Sequence, residues 1–276
     1  MEPSLPPGLY IVATPIGNLS DLSPRAAATL RGAGLILAED KRVTAKLLAH
    51  AGATAPMATY HDHSNELDRQ RILEAAAAKA VALVSDAGTP LISDPGYKLV
   101  RAARQAGLDV FTVPGPCAAI AALTLSGLPT DRFLFAGFLP AKAKARRDAI
   151  AELAAVRASL VFYESGPRLA ECLADLASVL GSREAAVVRE ISKLHEQTVT
   201  GRLDELARKY LESPPKGEIA IVVGPPGERE ISEQELDDAL REALAGLSPS
   251  RAAADVAERL GIARKRAYAR ALELSR

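Results

Sequence analysis

The densest run of chemically useful residues is Ser85-Asp86-Ala87-Gly88-Thr89-Pro90-Leu91-Ile92-Ser93-Asp94-Pro95-Gly96. It follows an apolar run and precedes a helical one. Two glycines, two prolines and two aspartates make a rigid loop with exposed backbone groups, and in open α/β sheets ligands bind beyond the carboxyl ends of strands. Asp86 can accept hydrogen bonds from an ammonium or a ribose hydroxyl. The bland alternative is a turn in which aspartate caps a helix. Twelve residues this rich in special types favour a ligand loop.

Two further strings end apolar runs in the same half of the chain. Thr14-Pro15-Ile16-Gly17-Asn18-Leu19 lacks both GxGxxG and the phosphate-binding GK[ST]. Gly32-Ala33-Gly34 precedes a strand instead of following one, so neither a dinucleotide nor a nucleoside triphosphate site is expected. The loop at Pro15 is either ligand-lining or a tight turn. Ala38-Glu39-Asp40-Lys41-Arg42 puts four charges at the end of the next strand, either as a solvated loop or on the same sheet edge as the other two loops. Tyr60-His61-Asp62-His63-Ser64-Asn65-Glu66 holds two histidines near carboxylates. No further His lies near in sequence, so a polar loop is expected and no metal.

In the second half, Pro114-Gly115-Pro116-Cys117-Ala118-Ala119 opens a small-residue helix that admits either a ligand or close helix packing. Cys117 has no neighbouring base and is not expected to act as a nucleophile. Phe162-Tyr163-Glu164-Ser165 ends a strand. Arg189-Glu190-Ile191-Ser192-Lys193-Leu194-His195-Glu196 ends another and places Glu190, Lys193 and His195 close together. A lysine–carboxylate pair can serve acid–base work, or it can be a surface salt bridge. The run from Gly137 to Arg147 carries Lys142, Lys144 and Arg146 and offers phosphate contacts, or only a soluble helix start.

These loops need strands and helices to hold them. Strands are expected at 9–13, 35–38, 80–85 and 109–113, with helices at 24–31, 43–51, 66–79 and 96–106 between them. That alternation predicts an α/β fold with a mainly parallel sheet. Beyond the Val113-Pro-Gly-Pro116 breaker, strands at 133–138, 159–163, 185–190 and 218–223, with helices at 146–155 and 167–180, predict a second α/β domain with a mixed sheet. Pro225-Pro226-Gly227 ends it. Helices at 233–245, 249–259 and 264–274 predict a helix-turn-helix-like tail. From 241 to 276 it carries eight Lys/Arg against four Asp/Glu. The expected domains are therefore 1–114, 115–228 and 229–276.

Bulk properties narrow the function classes. The net charge is zero and 48% of the residues are hydrophobic, which argues against a uniformly basic nucleic-acid coat. Any RNA contact must come from local patches. Two cysteines make no disulfide framework. No Trp and few aromatics make a base-stacking platform unexpected. Without a basic or apolar leader in MEPSLPPGLY, and with no apolar run near membrane-spanning length, a cytoplasmic protein with no membrane partner is expected.

Taken together and in order, ATPIGNL, AEDKR, SDAGTPLISDPG, VPGPCAAIAAL, GFLPAK, FYES, REISKLHE and GEIAIVVG resemble the tetrapyrrole methylase superfamily, the class III methyltransferases. The similarity is to the branch that methylates a cytidine ribose 2′-hydroxyl in small-subunit ribosomal RNA, and it covers nearly the whole chain. It implies two α/β domains with S-adenosylmethionine in the cleft between them, a homodimer, and ribosomal RNA or the small subunit as partner. Carried over, the cofactor pocket comprises Pro15, Asp86, Ala87, Gly88 and Thr89, then Cys117 and Ala118, then Tyr163 and Ala220. Lys193 and Glu190 are the first catalytic candidates, as base or stabilising cation, with Glu39 and Arg42 second. Arg42, Lys142 and Arg146 would hold phosphates, and Arg264, Lys265 and Arg266 would dock RNA. The chain departs from the family pattern at Lys41 for Thr, Cys117 for Ser, Gly166-Pro167 for Pro-His and Gln197 for Glu. Cys for Ser is nearly isosteric. Gln197 weakens a two-carboxylate scheme in that loop. The alternatives are a methylase of a small tetrapyrrole or a protein side chain, and a non-catalytic ribosome-assembly factor.

Overall fold

A computed structural model describes residues 5–61, 64–227 and 232–275. The chain divides into two compact units, the second beginning at Gly227.

The first unit contains two five-stranded sheets. Strands β1 (Gly8–Val12), β2 (Leu35–Ala38), β3 (Met57–Thr59), β4 (Ala80–Leu83) and β5 (Val110–Val113) form the first, in the order β3-β2-β4-β1-β5. Every pairing in it is parallel. Parallel strands are covered on both faces and read as continuous apolar runs; β4, Ala-Val-Ala-Leu, is buried at all four positions. Helices α1 (Pro24–Gly32), α2 (Lys41–Ala51), α3 (Glu66–Ala78) and α4 (Tyr97–Gln105) make the crossovers. One apolar cluster gathers Tyr10, Val12 and Ile36 with Leu30 and Leu47 of α1 and α2. The other gathers Leu9, Leu37 and Leu83 with Ile72 and Leu99 of α3 and α4. Caps fix the helix starts: Ser23 Oγ accepts from Ala26 N, and Asn65 Oδ1 from Asp68 N. Helix α2 starts two residues before the expected position because the Asp40 carboxylate accepts the Arg42 N–H at 2.8 Å.

The second sheet, order β6-β7-β10-β8-β9, is mixed as expected. Its strands are β6 (Phe133–Phe138), β7 (Ser159–Ser165), β8 (Glu184–Arg189), β9 (Gln197–Arg202) and β10 (Glu218–Val223). β6 runs parallel to β7, and β10 runs antiparallel to both β7 and β8. The helices of this half are α5 (Ala118–Leu125), α6 (Ala143–Leu153), α7 (Leu169–Leu180) and α8 (Leu203–Glu212). Helix α5 packs on one face through Ala119, Ala122 and Leu123. Helices α6, α7 and α8 cover the other. The edge strand β9, Gln-Thr-Val-Thr-Gly-Arg, carries too little apolar signal to be read as a strand. Its residues are partly or fully exposed.

The second unit contains α9 (Glu233–Leu244), α10 (Pro249–Leu260) and α11 (Arg264–Leu274), packed around Leu236, Leu240, Val256 and Ala267. Asp237 on α9 takes a bidentate pair from Arg270 on α11, at 2.6 and 2.7 Å. Gly261, at φ +67°, makes the left-handed turn between α10 and α11. No helix among the described residues is long and apolar enough to cross a membrane.

Candidate active site

The carboxyl ends of β1, β4 and β5 bring three loops together. The backbones of Thr14 and Gly88 exchange hydrogen bonds, Thr14 N to Gly88 O at 2.8 Å and Gly88 N to Thr14 O at 3.2 Å. Thr89 Oγ1 donates to Pro116 O at 2.9 Å, tying in the connection to α5. Gly88 sits at φ +82°, and a Cβ there would meet Ile16 Cγ2 at 3.1 Å. This glycine is required both by its left-handed backbone and by the close approach.

Facing these loops are β7, β10 and the segment before β10. Between the two walls lies a cavity of about 280 Å³. Of the residues proposed from sequence to hold a cofactor, Ala87, Gly88, Thr89, Cys117, Ala118, Tyr163 and Ala220 line this one cavity. Pro15 and Asp86 do not. Pro15 precedes the lining residue Ile16, and the Asp86 carboxylate accepts the Asp40 N–H at 3.1 Å. Tyr163 is fixed by its hydroxyl oxygen, which accepts the Ala119 N–H at 3.0 Å, and by edge contacts with Phe135 and Phe138. Burial beside Cys117 raises its phenol pKa. Cys117 and Ala118 at the start of α5 line the cavity, where the Cys117 side chain makes no cap bond and Tyr163 takes the Ala119 N–H.

The loop after β4 is held in uncommon backbone. Leu91 and Ser93 have φ +74° and +61°. Such residues cost about 1–3 kcal/mol each and gather at functional sites. The loop sets Ile92, Ser93 and Asp94 on the cavity wall. Asp94 carries the carboxyl that sequence reasoning passed over. Burial lifts its pKa to about 6, opposed by a Ser85 hydrogen bond and reinforced by Glu39 and Asp86. Phe138 was also missed. It lines the cavity, is 59% exposed, and follows a β-bulge at Gly137 whose φ is +66°. Low aromatic content concealed it, because one well-placed ring leaves no trace in composition.

The loop after β8 holds Glu190 and Lys193. Glu190 and Ser192 are left-handed, at φ +52° and +67°. Lys193 Nζ lies 2.9 Å from Glu190 Oε1 and 2.6 Å from Glu218 Oε2. Glu190 also accepts the Glu218 N–H at 3.0 Å. That backbone bond, with Lys193, holds the Glu190 carboxyl below the ordinary range, while the two carboxylates outweigh burial and keep Lys193 above it. Lys193 therefore stays an ammonium and Glu190 a carboxylate. The pair suits a fixed cation and its anchor, and neither partner is poised to take a proton. His195 is exposed in the same loop.

The other candidates do not line the cavity. Arg42 is an exposed side chain forked onto Asp40, and this contact lowers the Asp40 pKa to about 2. Burial, reinforced by Asp86, raises the Glu39 pKa. Lys142 is exposed at the start of α6. Arg146 corrects the sequence reading. Its side chain is 2% exposed, with Nε 2.7 Å from Asp175 Oδ2 and Nη1 donating to Ala141 O at 3.1 Å. The guanidinium is consumed in joining α6 to α7, so it does not hold a phosphate. One helical turn before buried Ile150, it lies on the inward face. Arg264, Lys265 and Arg266 are exposed at the start of α11. Of the proposed polar loop at 60–66, Asp62 and His63 lie outside the described residues. Among the described residues no group of three or more His, Cys, Asp or Glu could hold a metal ion.

The cleft lies at the strand ends of two α/β sheets, and the family match says which class of protein this is. Residues 8–207 match the family of Tetrapyrrole (Corrin/Porphyrin) Methylases, and the chain belongs to it. Residues 230–275 match the RsmI C-terminal HTH domain. A protein of Erythrobacter litoralis named Ribosomal RNA small subunit methyltransferase I is 56% identical over 98% of this chain and 96% of its own length. Its namesake in Escherichia coli O157:H7 is 45% identical over 96% of this chain and 94% of its own. Among solved structures, diphthine synthase superposes with a TM-score of 0.61 at 14% identity, covering 78% of this chain and 89% of its own. Uroporphyrin-III C-methyl transferase from Thermus thermophilus, complexed with S-adenyl homocysteine, gives 0.54 at 23% identity, covering 79% and 97%. These structures establish the fold.

Proposed function

We propose that the protein transfers a methyl group from S-adenosylmethionine to the ribose 2′-hydroxyl of a cytidine in small-subunit ribosomal RNA. The observation that carries this reading is the cleft itself, set in a chain 56% identical over nearly its full length to a ribosomal RNA small subunit methyltransferase. The chain is a methyltransferase, and its cofactor is S-adenosylmethionine.

The cleft suits that molecule. Small residues, Ala87, Gly88, Ala118, Gly217 and Ala220, leave room for a flat base and a backbone-hugging chain. Ile16, Ile92 and Ile219 supply apolar walls. The positive N-terminal end of α5, part of it already bonded to Tyr163, favours a carboxylate. In this reading Thr89, Cys117 and Tyr163 complete the pocket, while Pro15 and Asp86 support it from behind. When bound, the donor supplies a methyl already activated on sulfur, so the protein's work is orientation. Lys193 is a fixed cation at the cleft edge, and Glu190 anchors it. Glu39 follows the neighbouring strand β2, and Arg42 stands in the first turn of α2. Arg42 and Lys142 would contact phosphates from the body, and Arg264, Lys265 and Arg266 from the tail. A ribosomal substrate carries a cytoplasmic location with it. A homodimer follows from the family resemblance alone, and light scattering decides it.

The test offers methyl-labelled S-adenosylmethionine with assembled small subunits, with free small-subunit RNA, and with a tetrapyrrole. Label in RNA supports the reading. Label only in the tetrapyrrole replaces it, and binding to subunits without transfer makes the protein an assembly factor.

A further inference from the structure

Three carboxylates line the cleft: Asp94, Glu164 and Glu218. Two are already engaged. Glu164 Oε1 accepts the Ser165 N–H at 2.8 Å, and its Oε2 lies 3.3 Å from Arg168. Glu218 pairs with Lys193. Asp94 has no ion pair among the described residues. It stands immediately after left-handed Ser93, in a loop braced against the second sheet, where a Cβ on Gly137 would lie 3.1 Å from Ser93 Oγ. The loop is bent to hold this side chain at the cleft wall.

We propose that Asp94 is the catalytic base, accepting the proton of the acceptor hydroxyl as the methyl is transferred. This rests on the ribose-hydroxyl reading above. The oxygen–methyl bond forms while the sulfur–methyl bond breaks, and that bond's electron pair leaves on sulfur as a neutral thioether. The hydroxyl proton passes to the Asp94 carboxylate and from there to water.

The surroundings fit the task. Ser85, Glu39 and Asp86 are the groups that act on the Asp94 carboxyl, Asp94 acts in turn on Tyr163, and His61 acts on Glu39. Burial and the two like charges bring its pKa to about 6. A general base works best with a pKa near the operating pH. Lys193, held as an ammonium, has no lone pair to accept a proton, and Glu190 is the weaker base because its Oε1 is already taken by Lys193 and the Glu218 N–H, which lower its pKa.

The experiment compares wild type with Asp94→Asn and Asp94→Glu. Asp94→Asn is expected to lower single-turnover transfer by about 10²–10⁴-fold. Cofactor affinity by calorimetry should be unchanged. Asp94→Glu should recover part of the rate. In the wild type, transfer rises with pH through the titration of one group near 6. Carboxyl-labelled aspartate NMR of the free protein shows one carboxyl titrating there, and Asp94→Asn removes it. The inference is overturned if Asp94→Asn keeps the wild-type rate, or if its cofactor affinity falls in step with activity. If Asp94→Asn does not fold, the wild-type measurements decide, and the absence of either the pH-rate limb or the carboxyl titration overturns it. Wild-type protein that transfers nothing to small-subunit RNA overturns the ribose reading itself.

Discussion

Lys193 occupies the space that a side chain on Gly17 would need: a Cβ on Gly17 would stand 2.5 Å from Lys193 Cγ. Gly17 follows β1 of the first sheet and Lys193 follows β8 of the second, so the contact crosses the cleft. Ser192 hydrogen-bonds Asp21 in the same junction. Gly17→Ala is therefore expected to displace the Lys193 stem. Overpacking of this kind costs about 1–3 kcal/mol, while misplacing a group by about 1 Å can cost about 10²-fold in rate. The prediction is a modest fall in Tm with a disproportionate fall in transfer. Equal, small changes in both would show that the junction does not position Lys193.

Lys193→Ala leaves Glu190 and Glu218 facing each other without their shared cation. Transfer is expected to fall by about 10²–10³-fold, as for the loss of a fixed electrostatic stabiliser, with cofactor affinity by calorimetry intact. Affinity that falls together with activity would make Lys193 a structural residue of the pocket.

Asp94 has a folded-state pKa raised above its unfolded value. The sign follows: its protonated form is favoured by the fold, so its contribution to stability is present below the unfolded pKa and is lost as pH rises through about 6. Asp94→Asn should be more stable than wild type at pH 8, and the advantage should vanish toward pH 4. Thermal unfolding across that range checks it. A variant less stable than wild type at pH 8 would contradict the assignment.

Arg146 and Lys142 are separated by burial although both sit at one basic run. Breaking a buried ion pair by removing one partner costs about 3–5 kcal/mol, so Arg146→Ala should sharply lower the denaturant midpoint. It should leave the salt dependence of RNA binding unchanged in the protein that folds. Lys142→Ala should do the reverse. An Arg146→Ala protein of normal stability would refute the structural role.

Removing the unit that begins at Gly227 takes away the exposed Arg264, Lys265 and Arg266. If these three contact phosphates, the slope of log K against log salt should fall by about 2–3. Filter binding across a salt series measures it. An unchanged slope removes the tail from the RNA interface.

Much of this arrangement was legible in the residues. The parallel sheet showed itself because strands such as Ala80–Leu83 are apolar at every position, and the ligand loop because Ser85 to Gly96 concentrates prolines, glycines and aspartates. Edge strand β9 did not, since its exposed positions carry polar residues. Arg146 misled because charge in sequence says nothing about which face of a helix it occupies. Asp94 stood inside the recognised loop but was not singled out. Its difference from Asp86 lies in burial and in its place on the cavity wall, while the exposed Asp86 accepts the Asp40 N–H, and only folding decides this. The saturation of Lys193 by two carboxylates likewise required β10 to deliver Glu218, 25 residues away.

The most direct test is nucleoside analysis of small-subunit RNA after incubation with this protein and methyl-labelled S-adenosylmethionine. The cleft, its donor and its acceptor predict label in 2′-O-methylcytidine, absent without protein. Label in a methylated base, or none in RNA at all, would contradict the account.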